Sequence, residues 1–387
     1  MQNKIIYLIS ILVAIACISS FYKLLFAGEG ADTGSNLSSL AYILVVGLGA
    51  IIIKKKLSTL QSLFTTILIM YMFYFGINYF LISNEIPLPF TFAYQNIWCL
   101  IGIIAYSIGR SLDVENIYKI ANLLVFTVLP FITIFSFSVP ESNGVGELLA
   151  GRDAYFLCII LLLWSLLMRF KFKLIVISII FLLCIISLKR SVIIIAFFTI
   201  LICLFNYITD KNNSFLKRCL TFIAIIASIS YLVYNSTDLS IDIIDRFKAL
   251  EDDGGSGREN IYAAVGNDIK RFYFHEFIFG KGLSSVYKLI GIQAHNDFLQ
   301  IMHSLGIIGI LIYISLYLCC IRKIYLYKPI NIIEKKFKLY AFLIFISFAI
   351  TGYLNCFIVN PPLITPFIFL LGVSIGIIDN SKLKRKR

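Results

Sequence analysis

The stretch Asn296–Cys320, NDFLQIMHSLGIIGILIYISLYLCC, decides the fold. A helix needs about 20 predominantly apolar residues to cross a bilayer, and from Phe298 to Cys320 there is no Asp, Glu, Lys or Arg. The run is continuous. A membrane β-barrel would instead alternate apolar and polar residues in segments of about 10.

Working outward from it, comparable runs recur at 5–26, 37–53, 60–82, 92–109, 120–139, 154–168, 172–188, 191–208, 217–235, 339–358 and 362–378. The reading is an all-α, polytopic integral membrane protein with about 12 transmembrane helices. Composition agrees: of 387 residues, 59% are hydrophobic and 14% charged, with a mean hydropathy of +0.90. Soluble domains carry about 25% charged residues, so a water-soluble chain is excluded. Lys4 ahead of the first run gives 5–26 the look of a signal peptide. Because the run continues to Phe26 and others follow to the end, it reads as an uncleaved first span. The nine cysteines lie in or beside apolar runs without any CxxC spacing, which points to buried free thiols rather than bridges.

The net charge of +13 would suggest nucleic acid in a soluble protein. Here it follows sidedness, because cytoplasmic loops of membrane proteins carry the excess of Lys and Arg. With both termini placed in the cytoplasm, 23 of the 34 Lys and Arg fall inside, among them Lys54, Lys55, Lys56, Arg322, Lys323, Lys382 and Lys384. The inner side then carries +18 and the outer side −5. No nucleic-acid partner is implied, and binding of any anion on a net acidic face would depend on a few placed cations.

Three regions follow: an N-terminal bundle of about nine spans at 1–235, a large external loop at 236–295, and C-terminal spans with a basic cytoplasmic tail at 296–387. The loop holds nine Asp or Glu and seven Lys or Arg. It reads as folded. Ser256 and Glu259 have capping-box spacing, and Ile261, Val265, Ile269 and Phe272 line one helical face. Leu239, Ile243, Phe247 and Leu250 suggest a second amphipathic piece, and such helices suit a membrane surface.

The spans are nearly free of charge, and polar chemistry gathers on the outer face. Lys189-Arg190 has two readings, a tight hairpin with snorkelling cations or a phosphate-binding pair. Arg258, beside Gly254, Gly255 and Gly257 at the start of a predicted helix, is either an ordinary loop cation or part of an anion site at a helix N-terminus. His295-Asn296-Asp297 is either a helix cap or a proton-transfer and phosphate-binding group. His275 and His303 complete the three histidines, and no zinc spacing occurs, so no metal is expected. Gly280-Lys281-Gly282 lacks the context of a nucleotide loop and reads as a tight turn.

The order of these features resembles the O-antigen polymerase and O-antigen ligase family. It runs Arg258 after Ser256-Gly257, Phe279-Gly280-Lys281-Gly282, then His295-Asn296-x-x-Leu299 with Gly306 and Gly309 following, and Asn360-Pro361-Pro362 leading to Leu371-Gly372. The resemblance covers about residues 185–375. Arg246 and Arg271 each precede a glycine by eleven residues (Gly257 and Gly282), which is similar to an arginine–glycine spacing of polymerases. Lys189 stands before Arg190 where the family pattern has a small polar residue.

The resemblance implies a C-type glycosyltransferase fold and a metal-independent, cofactor-free reaction at the periplasmic face of the bacterial inner membrane. Its implied catalytic residues are His295, Arg258 and Arg190, with Lys189, Arg246, Arg271 and Asn296 binding substrate. The implied activity is an O-antigen polymerase, a membrane glycosyltransferase of lipopolysaccharide biosynthesis. It would transfer a growing glycan from undecaprenyl diphosphate onto a lipid-linked repeat unit. Implied partners are undecaprenyl diphosphate-linked oligosaccharide repeat units, membrane lipids and a chain-length regulator. An O-antigen ligase acting on lipid A-core is the alternative, and a lipid-linked oligosaccharide flippase or transporter is the reading from another class.

Overall fold

The computed structural model describes residues 2–26, 33–55, 60–82, 89–137, 155–166, 173–186, single positions between 192 and 201, 258–356 and 358–384. Among them there is no strand. In chain order the helices are α1 (Gln2–Phe26), α2 (Thr33–Lys55), α3 (Leu63–Ile77, continued as a π-helical turn Asn78–Ile82), α4 (Pro89–Gly109), α5 (Val114–Phe137), α6 (Tyr155–Leu166) and α7 (Lys173–Ile186). After the gap come α8 (Arg258–Ile269), α9 (Phe274–Phe279), α10 (Ser285–Ile290), α11 (Asp297–Tyr325), α12 (Ile332–Leu354) and α13 (Pro361–Lys384).

Among the described residues, four segments are long and apolar enough to cross a bilayer: Leu63–Ile82, Asp297–Tyr325, Ile332–Leu354 and Ile364–Lys384. Ile5–Ala16, Leu40–Ile53 and Gln95–Gly109 are shorter apolar helices. The protein is therefore an all-α chain built for a membrane. The expected span at 217–235 lies outside the described residues, as does most of 191–208. Several boundaries move, among them that of α5, which starts at Val114 rather than 120, and that of α13, which runs on to Lys384 rather than 378. The span expected at 339–358 is a helix from Ile332 to Leu354, because Asn331 caps it by accepting from the Glu334 N–H at 2.8 Å. The span expected to end at 320 continues to Tyr325.

Between lipid-embedded helices there is no hydrophobic drive to associate, so close backbone packing must supply the adhesion. The α4–α13 pair shows how. A Cβ added at Gly376 would lie 2.3 Å from the Tyr106 carbonyl oxygen, one at Gly109 2.2 Å from that of Val373, and one at Gly372 2.8 Å from that of Gly102. Gly372-x-x-x-Gly376 on α13 thus lets the two backbones touch. Trp98, Tyr106, Phe64, Phe367 and Phe369 fill the core around the crossing.

The helix ends sort into two faces. At one, Lys323 pairs with Asp379, whose carboxylate also accepts from the Tyr106 hydroxyl at 2.7 Å. Lys384 pairs with Asp113, and the Asn380 side chain donates to Leu112 O at 2.9 Å. These contacts gather the ends of α4, α11 and α13 with the start of α5. At the opposite face, α8–α10 pack on the first turns of α11 and on the last turns of α3 and α12. The five described cysteines with placed side chains, Cys99, Cys184, Cys319, Cys320 and Cys356, are buried free thiols.

Candidate functional site

The site lies at the face opposite the basic one, where three helix ends converge. Helix α8 begins at Arg258, with Glu259 in its first turn. The predicted apolar face is observed at Val265 and Ile269, whereas Phe272 lies beyond the end of the helix. Val265 is fully buried, and Ile269 packs with it against Val286, Ala294 and Leu299 in a small second core. That core seats α8 on α10 and on the start of α11.

Arg258 points away from it, and its Nη1 donates to the Leu354 carbonyl oxygen at 2.8 Å. Leu354 is the last residue of α12, so the cation sits on the negative end of that helix dipole. Asn296 caps α11 by accepting from the Leu299 N–H at 3.1 Å. Its amide also donates to Tyr353 O at 2.9 Å, so both Arg258 and Asn296 hold the C-terminal end of α12.

Tyr262, one turn after Arg258, joins them. Its hydroxyl donates to the His295 carbonyl oxygen at 3.1 Å, and the side chains of Arg258 and Asn296 both approach it. Burial pushes the Tyr262 pKa up, with the Arg258 charge opposing it, so the phenol stays a donor at neutral pH. His295 itself has φ of +50°, a left-handed conformation that non-glycine residues adopt infrequently. His295 is half-buried and stands one residue before the N-cap of α11.

Arg258, His295 and Asn296 are thus brought together. Arg271 is not: it is exposed on the turn after α8, roughly 17 Å of helical rise from Arg258. Lys189, Arg190 and Arg246 lie outside the described residues. Among those that are described, no group of three or more His, Cys, Asp and Glu is arranged to hold a metal ion.

Sequence reasoning missed a second polar cluster beside the first. Asp268 Oδ2 is 2.7 Å from Lys281 Nζ and 2.8 Å from His303 Nε2, while His303 Nδ1 is 2.8 Å from the Ser285 hydroxyl. Burial works to raise the Asp268 pKa, but the bonds from Lys281 and His303 outweigh it and hold the carboxyl below its usual range. The order serine, histidine, aspartate is that of a nucleophile, its base and an orienting group. Here Lys281 occupies the same carboxylate oxygen and Phe272 lies edge-on to the ring of His303, centroids 5.3 Å apart. The cluster reads as a staple joining α8, the 280–282 loop, α10 and α11.

That loop was predicted to be a turn, and it is more than one. Helix α11 breaks at Gly306 (φ 64°, ψ −165°), although the sequence placed this residue within a continuous helix. The break frees carbonyls that the loop takes up: Lys281 N–H donates to His303 O at 2.9 Å and Gly282 N–H to Ser304 O at 3.1 Å. Helix α3 completes the set, with the Tyr74 hydroxyl donating to Leu305 O at 2.7 Å and the Asn78 amide to Ser304 O at 3.2 Å. Non-helical backbone at membrane depth is tolerated only where protein satisfies it, and that condition holds here. Asp297, read as part of a cap, is fully buried. It accepts from the Tyr313 hydroxyl at 2.9 Å and from the Ile358 N–H at 3.0 Å, tying α11 to the turn before α13.

No protein-family model and no curated protein matches the chain.

Proposed function

We propose that the chain is a membrane glycosyltransferase that polymerises a surface polysaccharide, taking a growing glycan from a polyprenyl diphosphate onto a lipid-linked repeat unit. The observation that carries this reading is the convergence of the Arg258 and Asn296 side chains and the His295 backbone carbonyl on Tyr262 at the face away from the basic helix ends. By the positive-inside rule the basic face is cytoplasmic, which puts these residues outside.

The chemistry asks for two things. An acceptor hydroxyl attacks the anomeric carbon, forming the new glycosidic bond as the bond to the diphosphate oxygen breaks. The departing diphosphate takes the electron pair and needs a fixed positive partner. Arg258 supplies it: one of its five N–H donors is used on Leu354 O, leaving others for phosphate oxygens. The hydroxyl proton passes to His295, because an imidazole can take up and release a proton near neutral pH. In this reading arginine carries the electrostatic stabilisation without a metal.

The test is a gene deletion complemented by variants, with lipopolysaccharide resolved on a gel. Deletion leaves a single-repeat band and the native sequence restores the ladder. A core-only product would overturn the polymerase reading in favour of the ligase or an earlier step. Arg258→Ala and His295→Ala each give a single-repeat band at undiminished membrane protein level. Full-length polymer in both would remove them from the site.

A further inference from the structure

Helices α9 and α10 carry a dense set of exposed aromatic and aliphatic side chains. Phe274 is 83% exposed, Tyr273 71% and Tyr287 62%, and Phe277, Phe279, Leu289 and Ile292 are each a little over 40% exposed. Water-facing segments do not normally display such a patch.

The anchoring of α9 fixes its depth. Its last residue, Phe279, accepts from the Asn78 side chain at 2.7 Å, and the following loop bonds to the carbonyls of His303 and Ser304. Asn78 lies four residues from the end of the apolar segment Leu63–Ile82, and Ser304 seven from the start of Asp297–Tyr325. At 1.5 Å per residue, the junction is therefore about 6 Å inside one segment end and about 10 Å inside the other. Amphipathic helices lying in a bilayer interface bury their apolar face about 5–10 Å into the headgroup and acyl boundary.

Two more features agree. The patch meets a surface already suited to lipid, since Phe73, Phe80 and Leu81 on α3 are 72%, 48% and 79% exposed. Exposed Lys270, Arg271 and Lys288 flank the aromatic face, the cationic rim that anionic headgroups favour.

We infer that α9 and α10 form an interfacial hairpin whose aromatic face is inserted in the outer lipid leaflet, with Lys270, Arg271 and Lys288 at the level of the lipid phosphates. The hairpin is held from below by the break at Gly306 and from the side by the Asp268–Lys281–His303 cluster. The proposed glycosyl transfer is not needed for this inference.

The experiment places a tryptophan on the face and measures its depth. The two native tryptophans, Trp98 and Trp164, are buried, so their emission is subtracted. The full chain with Phe274→Trp is reconstituted in phosphatidylethanolamine and phosphatidylglycerol vesicles with bromine on the acyl chains. Leu311→Trp, on the exposed side of α11 within its span, is the deep reference.

The added emission of Phe274→Trp is expected to be blue-shifted. Bromine near the glycerol end should quench it more strongly than bromine near the bilayer centre, with the opposite order for Leu311→Trp. Quenching by aqueous iodide with none by lipid bromine would mean a water-facing patch and overturn the inference. Protection from both would mean that protein covers the face, and overturns it equally. At equal bromine content, quenching should be greater when the label is on phosphatidylglycerol than on phosphatidylethanolamine. Equal quenching would remove the cationic rim from the argument.

Discussion

Replacing Gly306 by alanine tests whether the break in α11 is what holds the external segment. The glycine has φ of 64° and ψ of −165°, a region that only glycine occupies at low cost; other residues there cost about 1–3 kcal/mol. The new Cβ would also stand 2.4 Å from the Ile278 carbonyl oxygen and 2.6 Å from the Gly280 nitrogen, backbone atoms that move only if the loop moves. Loop displacement breaks the bonds from Lys281 N–H and Gly282 N–H, each worth about 0.5–1.5 kcal/mol. Together the loss is about 2–6 kcal/mol, concentrated on the attachment of α9 and α10. The control is Gly266→Ala. Gly266 lies inside α8 with nothing within 4 Å of an added Cβ, so alanine should stabilise by about 0.5–1 kcal/mol through a better helix. Heat-aggregation midpoints of the two purified variants in detergent, with limited trypsin digestion at Lys270, Arg271 and Lys281, provide the measurement. Gly306→Ala should melt earlier and be cut faster in this segment, and Gly266→Ala should do neither. A Gly306→Ala protein that melts and digests like the native one would refute the reasoning.

The second cluster makes the segment acid-sensitive. The Asp268 pKa is held low in the fold, so its stabilising effect is present above the unfolded value of about 4 and lost as pH falls through the folded one; Asp268→Asn should flatten the acid limb of a trypsin-resistance profile, and an unchanged limb would remove the carboxylate as its cause. Tyr262→Phe removes the hydroxyl that ties Arg258 and Asn296 to His295. If a bond of about 0.5–1.5 kcal/mol orders the site, polymer synthesis should slow about 2- to 10-fold at unchanged melting midpoint, read from the ladder against time. Gly376→Leu drives a side chain into the backbone at Tyr106 and Arg110. Overpacking of this kind costs about 1–3 kcal/mol or more, and a detergent melt that did not fall would show that α4 and α13 do not depend on their glycines.

The apolar runs were legible because the rule behind them is local: each helix must satisfy its own backbone in lipid, so its length is written in a contiguous stretch. The start of α12 is legible too. Asn331 and Glu334 have capping spacing, and the Glu334 carboxylate accepts from the Ile330 N–H at 2.9 Å, whereas hydropathy alone begins the run at 339. Arg258 and His295 could be singled out by type and by their position at helix starts. Their partners could not. Leu354 lies 96 residues from Arg258, and His303 lies 35 from Asp268. No periodicity in the chain encodes such pairings.

The glycines at 280 and 306 are visible in the sequence as letters, while their cause is clear only in three dimensions. Gly280 and Gly306 lie on two different elements, and each lacks a side chain because the other's backbone is there. An added Cβ on Gly280 would meet Ser304 backbone at 2.4 Å, and one on Gly306 would meet Ile278 backbone at 2.4 Å. The pair is therefore one contact, and substituting either residue should have the same effect as substituting the other. The contact also determines where the polar chemistry can sit. It fastens α9 below the helix ends, the staple from Asp268 to His303 fastens α8 beside it, and α8 in turn carries Arg258 and Tyr262 to the start of α11. The position of the candidate site is thus inherited from a helix break about three turns away, and a substitution at the break should disturb Arg258 without touching it.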